Sequence, residues 1–209
     1  MDSCAEILSI GHSIMPYDQF ASHLLDSGVT AVADVRSSPF SRRAPQFSRD
    51  SLRPTLKSSG IAYVFMGEQL GGRPKEGHFF RNRIADYEKM ATSSDFLRGL
   101  DRLIDGTKKH RIALVCSEHN PLDCHRCLLV GRALTERNLT MRHILSDGSI
   151  INQSEVERRL LQLAAGDTKN ADDLFLSQEE QLVDAYRKQA RKVAFQQPQD
   201  QNAECELLG

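Results

Sequence analysis

No apolar run in this 209-residue chain approaches the roughly 18 residues that a membrane-crossing helix needs, so no membrane span is expected. The opening, MDSCAEILSI, has neither the basic region nor the long apolar core of a secretory signal. Cysteines number five, an odd count, and three of them crowd into one stretch. That does not make a disulfide framework, and reduced thiols in the cytoplasm are the expectation. There is no internal repeat and no low-complexity stretch. A thiol-phosphatase loop would need Cys, five residues, then Arg; six residues after Cys116 stands Leu122, so that chemistry is excluded on spacing. No second C-x2-C pair and no H-x3-H accompany the one pair formed by Cys124 and Cys127, which weighs against zinc. A weaker metal alternative remains in Cys116, Cys124 and Cys127, with His119 and His125 beside them.

What is present is ordinary globular material, 40% hydrophobic and 26% charged, enough for one sizeable core. The stretch from Arg111 to Arg126 carries the most chemistry. Ile112, Ala113, Leu114 and Val115 are a short apolar run, the pattern of a strand buried on both faces of a parallel sheet. Cys116, Ser117, Glu118, His119 and Asn120 then follow in a row, and Pro121 stops regular structure. A helix is expected from about Cys124, with Cys127 to Arg137 amphipathic. The polar cluster therefore lies between the carboxyl end of a strand and a helix start. Ligands bind there in open α/β sheets, and the helix start offers free N–H groups to an anion.

Further strands are expected at Ala5–Ile10, Val29–Val35, Ile61–Phe65 and Met141–Leu145. Helices are expected at Pro16–Ser27, Ser48–Ser59, Arg83–Ala91 and Ser94–Asp105, the last capped by Ser94 or Asp95. A Gly-rich turn spans Gly67 to Gly77. About five strands alternating with helices over 150 residues predict a three-layer α/β fold, mainly parallel, with helices on both faces. Residues 151–195 read as a C-terminal helical extension with a linker from Gly166 to Asp173. Its last helix is announced by the capping box Ser177 to Glu180. Residues 196–209 are polar and aperiodic, a disordered tail by composition.

Charge is uneven: residues 1–150 carry 20 Lys+Arg against 17 Asp+Glu, and residues 151–209 carry 7 against 11. Arg36, Arg42, Arg43, Arg49 and Arg53 fall within eighteen residues with only Asp50 among them. Such a run is usually a solvated face. Here it begins at a strand end and mixes hydroxyls and aromatics with guanidinium groups, as phosphate and base binding requires. Arg73 follows the third strand and extends the rim. Phosphate-binding candidates are thus Arg36, Arg42, Arg43 and Arg73. Cys116 or Glu118 is a candidate nucleophile or base, His12 and His125 are acid–base candidates, and Arg126 is a candidate for stabilising negative charge. For Cys116 and His12 a purely structural role is the competing reading, since free Cys is commonly buried and a lone His at a strand end is commonly satisfied within the fold.

Taken in order, Ser9-Ile10-Gly11-His12-Ser13, Asp34-Val35-Arg36-Ser37 with Pro39, Ser41-Arg42-Arg43, Pro45-Gln46-Phe47, Gly67 with Leu70-Gly71-Gly72, Cys116-Ser117-Glu118, and Cys124-His125-Arg126 followed by Leu129 resemble the DUF488 family. The resemblance spans about residues 6 to 150. It implies a small α/β domain whose signature residues sit at strand ends: His12, Asp34, Arg36, Arg42, Cys116, Glu118, Cys124, His125 and Arg126. The layout is also similar to a rhodanese domain, with a strand ending in Asp-Val-Arg and a later one ending in Cys. Glu118, however, would repel an anion held over Cys116.

The functional expectation is an enzyme acting on a nucleotide or nucleic-acid substrate, with N-glycosidic cleavage or transfer a reaction to test. A carboxylate beside a phosphate site suits attack at a sugar anomeric carbon. The alternatives are a non-catalytic nucleic-acid-binding module carried by the arginine run, and a metal or thiol-redox protein. No cofactor is firmly implied.

Overall fold

The computed structural model describes residues 5–167 and 176–198. The expected α/β architecture is present. Strands β1 (Glu6–Gly11), β2 (Ala31–Asp34) and β3 (Ala62–Phe65) are joined by helices α1 (Tyr17–Asp26) and α2 (Arg49–Ser58). After them come a one-turn helix α3 (Gly67–Leu70), a small hairpin of β4 (Phe80–Arg81) and β5 (Ile84–Ala85), and helices α4 (Tyr87–Ala91) and α5 (Ser94–Thr107). Strand β6 (Ile112–Cys116) leads through a π-helical stretch, Arg126–Gly131, into α6 (Arg132–Thr135). Strands β7 (Thr140–Ile144) and β8 (Ile150–Asn152) and helices α7 (Gln153–Asp167) and α8 (Gln178–Val193) complete the described chain.

The main sheet has the order β3-β2-β6-β1-β7-β8. All neighbours are parallel except β8, which runs antiparallel to β7 at the edge. Alternate side chains of each central strand go to opposite faces. Ile7, Ala33, Leu114 and Met141 join a core with Phe96 and Leu100 of α5, the π-helical stretch, α7 and α8. Leu8, Val32, Ala113 and Val115 join a second core with Phe20 and Leu24 of α1 and Leu52 and Leu56 of α2. Both faces are covered, which is why the strands read as near-continuous apolar runs.

Four local expectations are corrected. Arg83–Ala91 is not one helix: Asn82 and Arg83 take positive φ of 50° and 69°, the geometry of a two-residue hairpin turn, and Asp86 caps the shorter helix that follows. Helix α5 is capped by Ser93, one residue earlier than expected. The amphipathic pattern expected over Cys127–Arg137 holds only in its second half, where Thr135 and Glu136 are exposed beside buried Ala133 and Leu134; Arg126 to Gly131 are all buried, because α7 and α8 close over that side. The Gly-rich turn contains the helical turn of α3.

The C-terminal helices pack on the shared core through Val156, Leu160, Ala185 and Tyr186. The capping box of α8 is present, with Ser177 N–H donating to Glu180 at 2.8 Å and Glu180 N–H to Ser177 Oγ at 3.2 Å. Of the expected linker, 168–173 lies outside the described residues. So do residues 199–209 of the expected tail, while Gln196 makes a bridge to Ile84. Among the described residues no helix is long and apolar enough to cross a membrane.

Candidate functional site

The register of the parallel strands brings their carboxyl ends to one rim. Gly11 lies opposite Cys116, and Asp34 opposite Val115. Beyond the strand ends the pairing continues: His12 N–H donates to the Cys116 carbonyl at 3.0 Å, and Ser13 N–H to the Ser117 carbonyl at 2.9 Å. The loop after β6 then folds back across the rim. This is possible because residue 11 is glycine; a Cβ there would stand 1.8 Å from the Glu118 carbonyl oxygen.

Four reactive groups meet beneath that loop. Cys116 Sγ lies 2.9 Å from Glu118 Oε2 and Cys124 Sγ 3.1 Å from the same oxygen, each thiol placed to donate to it. His125 Nδ1 is 3.7 Å from Cys116 Sγ and 3.9 Å from Cys124 Sγ. The other ring nitrogen, Nε2, donates to the Val35 carbonyl at 2.9 Å, which leaves Nδ1 the lone pair that faces the sulfurs. Gly72 lies flat against this ring; a Cβ there would be 2.7 Å from His125 Cγ.

Burial raises the Cys116 thiol well above its usual range, helped by the neighbouring Cys124 and Glu118. At Cys124 burial also opposes ionisation, but Cys116 as donor, the Arg126 guanidinium and His125 outweigh it and draw that thiol well down. His125 is raised: burial works against the charged ring, and Cys124 more than offsets it. Glu118 is raised by burial of its carboxylate and by Cys124, although the residue as a whole is exposed.

Arg36 and His12 lie beside the cluster, locked. Arg36 donates from Nε to Asp34 Oδ1 at 2.8 Å and from Nη2 to Asp34 Oδ2 at 2.6 Å, and Nη1 reaches His12 Nε2 at 3.0 Å. Tyr63 also donates to Asp34, at 2.7 Å. His12 is stacked on Phe47 and fully engaged, with Nδ1 donating to the Ser13 carbonyl at 2.9 Å. Burial and the Arg36 charge push it down to about 4, so it is a neutral acceptor.

The expected roles therefore divide. Cys116, Glu118 and His125 come together as a cluster, joined by Cys124. Arg126 is buried under the loop, donating to the Glu118 carbonyl at 2.6 Å and the His119 carbonyl at 3.0 Å. It holds the loop and adds a positive field, but it does not reach the pocket. Arg42 and Arg43 are exposed and do not line the pocket, because the chain turns away after Phe40. Cys127 is corrected as a metal candidate: it faces Gln153 on the far side of the helical stretch, and burial pushes its thiol up to about 12.

A cavity of about 230 Å³ opens above the cluster, lined by Arg36, Ser37, Arg73, Tyr87, Glu118 and Phe195 among others. Arg73 lies over the Phe195 ring at 5.3 Å. A larger cavity, about 480 Å³, lies between the hairpin, α4 and α8. It holds none of the four clustered groups, whereas Glu118, Cys124 and His125 line the smaller one. Tyr87 borders both. Phe195 and Val193 were not legible as site residues; the only sequence signal is an apolar pair standing just before a polar tail.

The chain matches the family described as "Domain of unknown function DUF488" over residues 16–133, and it belongs to that family. No curated protein and no solved structure matches it.

Proposed function

We propose that this protein is an enzyme that carries out hydrolysis or group transfer on a small phosphate-bearing substrate, a nucleotide being the first class to test. The observation that carries the reading is the cluster in which Glu118, Cys124 and His125 line a polar pocket and Cys116 is buried directly against them, at the carboxyl ends of the parallel strands. Arg73, the remaining guanidinium on the pocket rim that is not locked in an ion pair with Asp34, would hold phosphate, with the Ser37 and Ser38 hydroxyl groups beside it. Glu118 is the proton-transfer group, because its carboxylate reaches both the thiols and the cavity. N-glycosidic cleavage or transfer is the first reaction to assay. A reducing compartment such as the cytosol is the setting assumed, since it keeps the thiols free.

The test is calorimetric binding and turnover across a panel of nucleotides and sugar phosphates. Glu118→Gln should lower turnover about 10²–10⁴-fold while leaving binding in place. Arg73→Ala should weaken binding about 10-fold or more, the loss of one charge-assisted contact. A panel without a single ligand, or turnover indifferent to Glu118→Gln, overturns the proposal. Binding of DNA or RNA with a steep salt slope, lost with Arg42 and Arg43 but indifferent to Cys116→Ala, would favour a non-catalytic nucleic-acid module instead.

A further inference from the structure

We infer that Cys116, Cys124 and His125 form a zinc site, with its fourth position open toward Glu118 and the pocket. This deepens the function proposed above by naming what the thiols do; it rests on that reading only for the use made of the open position. Cys116 Sγ, Cys124 Sγ and His125 Nδ1 all lie within 4.8 Å of one another. Zinc binds sulfur at about 2.3 Å and imidazole nitrogen at about 2.0–2.1 Å, so a tetrahedral site has sulfur–nitrogen edges of about 3.6 Å and a sulfur–sulfur edge of about 3.8 Å. The two sulfur–nitrogen separations here, 3.7 and 3.9 Å, match that edge.

Three independent features support the assignment. Metal-ligating imidazoles donate their other N–H to a carbonyl or carboxylate, and His125 does so to Val35 at 2.9 Å. Its ring is further pinned by the backbone of Gly72. Arg126 is wholly buried and gives its terminal nitrogens to neutral carbonyls, while its Nε has no hydrogen-bond partner. Two thiolates, the Glu118 carboxylate, Arg126 and one divalent cation sum to zero charge, which a low-dielectric interior favours. Two soft thiolates and one imidazole select zinc over hard cations such as Mg²⁺ or Ca²⁺. Three protein ligands with one position left open is the composition of catalytic rather than structural zinc. Cys127, three residues after Cys124, is excluded by its direction, so the site does not use the C-x2-C pair.

The experiment uses the full chain, purified in reductant, stripped with chelator, and titrated with Zn²⁺ or with Co²⁺ as a coloured substitute. One metal per chain is expected, with thiolate-to-cobalt charge-transfer bands and strong tetrahedral d–d bands. Cys116→Ser and Cys124→Ser should each weaken zinc binding about 100-fold or more, and Cys127→Ser and Glu118→Gln should leave the stoichiometry at one. Should the two ligand variants fail to fold, the wild-type chain still decides: bound Zn²⁺ should slow alkylation of Cys116 and Cys124 at least about 10-fold, as thiolate lone pairs are taken up by metal. Under about 0.1 metal per chain, cobalt bands surviving in both ligand variants, or recovery of Cys116 and Cys124 as a disulfide with no metal uptake after reduction would each overturn the inference. Metal is read without substrate. A chain that binds zinc and turns over nothing defeats the functional proposal alone, and an active metal-free chain defeats only this one.

Discussion

Asp34 holds Arg36 through both carboxylate oxygens, at 2.8 and 2.6 Å, with the aspartate fully buried and the arginine 3% exposed. The pair sits at the end of β2, against the neutral His12, and sets the position of the pocket floor. Removing one partner of a buried pair leaves an uncompensated charge. Asp34→Asn should therefore cost about 3–5 kcal/mol of stability, read by urea unfolding. Arg36→Lys should not be benign, because an ammonium cannot replace the fork that spans both oxygens.

Gly72 supplies a second prediction. Its backbone lies so close to the His125 ring that any side chain must displace the imidazole. Gly72→Ala should cost about 1–3 kcal/mol, as overpacking does. Gly77→Ala is the control: a Cβ there meets nothing within 4 Å, and its φ is not positive. Thermal unfolding of the two variants side by side checks this; equal midpoints would contradict the close approach.

His143 makes stability pH-dependent. Its Nδ1 accepts from Ser9 Oγ at 2.7 Å, its Nε2 donates to Gln153 Oε1 at 2.6 Å, and burial pushes it down to about 4 from an ordinary 6.5. The unfolded chain thus binds a proton that the folded chain refuses between those two values. Stability from this group is complete above pH 6.5 and falls as pH drops toward 4, by up to about 3 kcal/mol. His143→Gln should flatten that part of the denaturation profile, measured as unfolding midpoints at pH 7.5, about 5.5 and about 4.5.

The relay from His143 continues outward. Gln153 Nε2 donates to Tyr186 Oη at 2.5 Å, and Tyr186 Oη donates to Glu157 at 2.9 Å, tying β7, α7 and α8 together. Tyr186→Phe removes this short contact and leaves the Gln153 amide only the longer ones to Glu157 at 3.5 Å and the Cys127 sulfur at 3.8 Å, and about 1 kcal/mol should be lost. Hydrogen exchange should show the loss concentrated in α8 if the hydroxyl is what docks it.

Much of this was legible in the residues, for identifiable reasons. The central strands β1, β2 and β6 are buried along nearly their whole length, so they show as largely apolar runs such as Ile112–Val115, whereas β3 and β7, nearer the edges, carry half-buried residues such as Tyr63 and Arg142. The meeting of Gly11, Asp34 and Cys116 follows once the strands are parallel, because their carboxyl ends must then share a rim. What hid itself depends on distant partners. The hairpin at residues 80–85 is stabilised by the segment around Phe195, more than a hundred residues away, and its own six residues carry no period. The apparent C-x2-C pair misled because spacing does not fix direction: Cys124 precedes the helical stretch and faces the rim, whereas Cys127 lies within it and faces Gln153. The arginine run misled for a related reason. Arg36 is spent on Asp34, and Arg42 and Arg43 lie past the turn that leaves the pocket.

Val193 and Phe195, at the end of α8, line the cavity together with Glu118 and His125. The segment shared with the family, residues 16–133, contains the reactive groups but not that enclosing wall. The cavity wall thus comes from a part of the chain that the family segment does not include, and ending α8 before Val193 would leave the cavity open on one flank, without the Phe195 ring. Changes confined to this arm would reshape the cavity while leaving Cys116, Glu118, Cys124 and His125 where the sheet puts them.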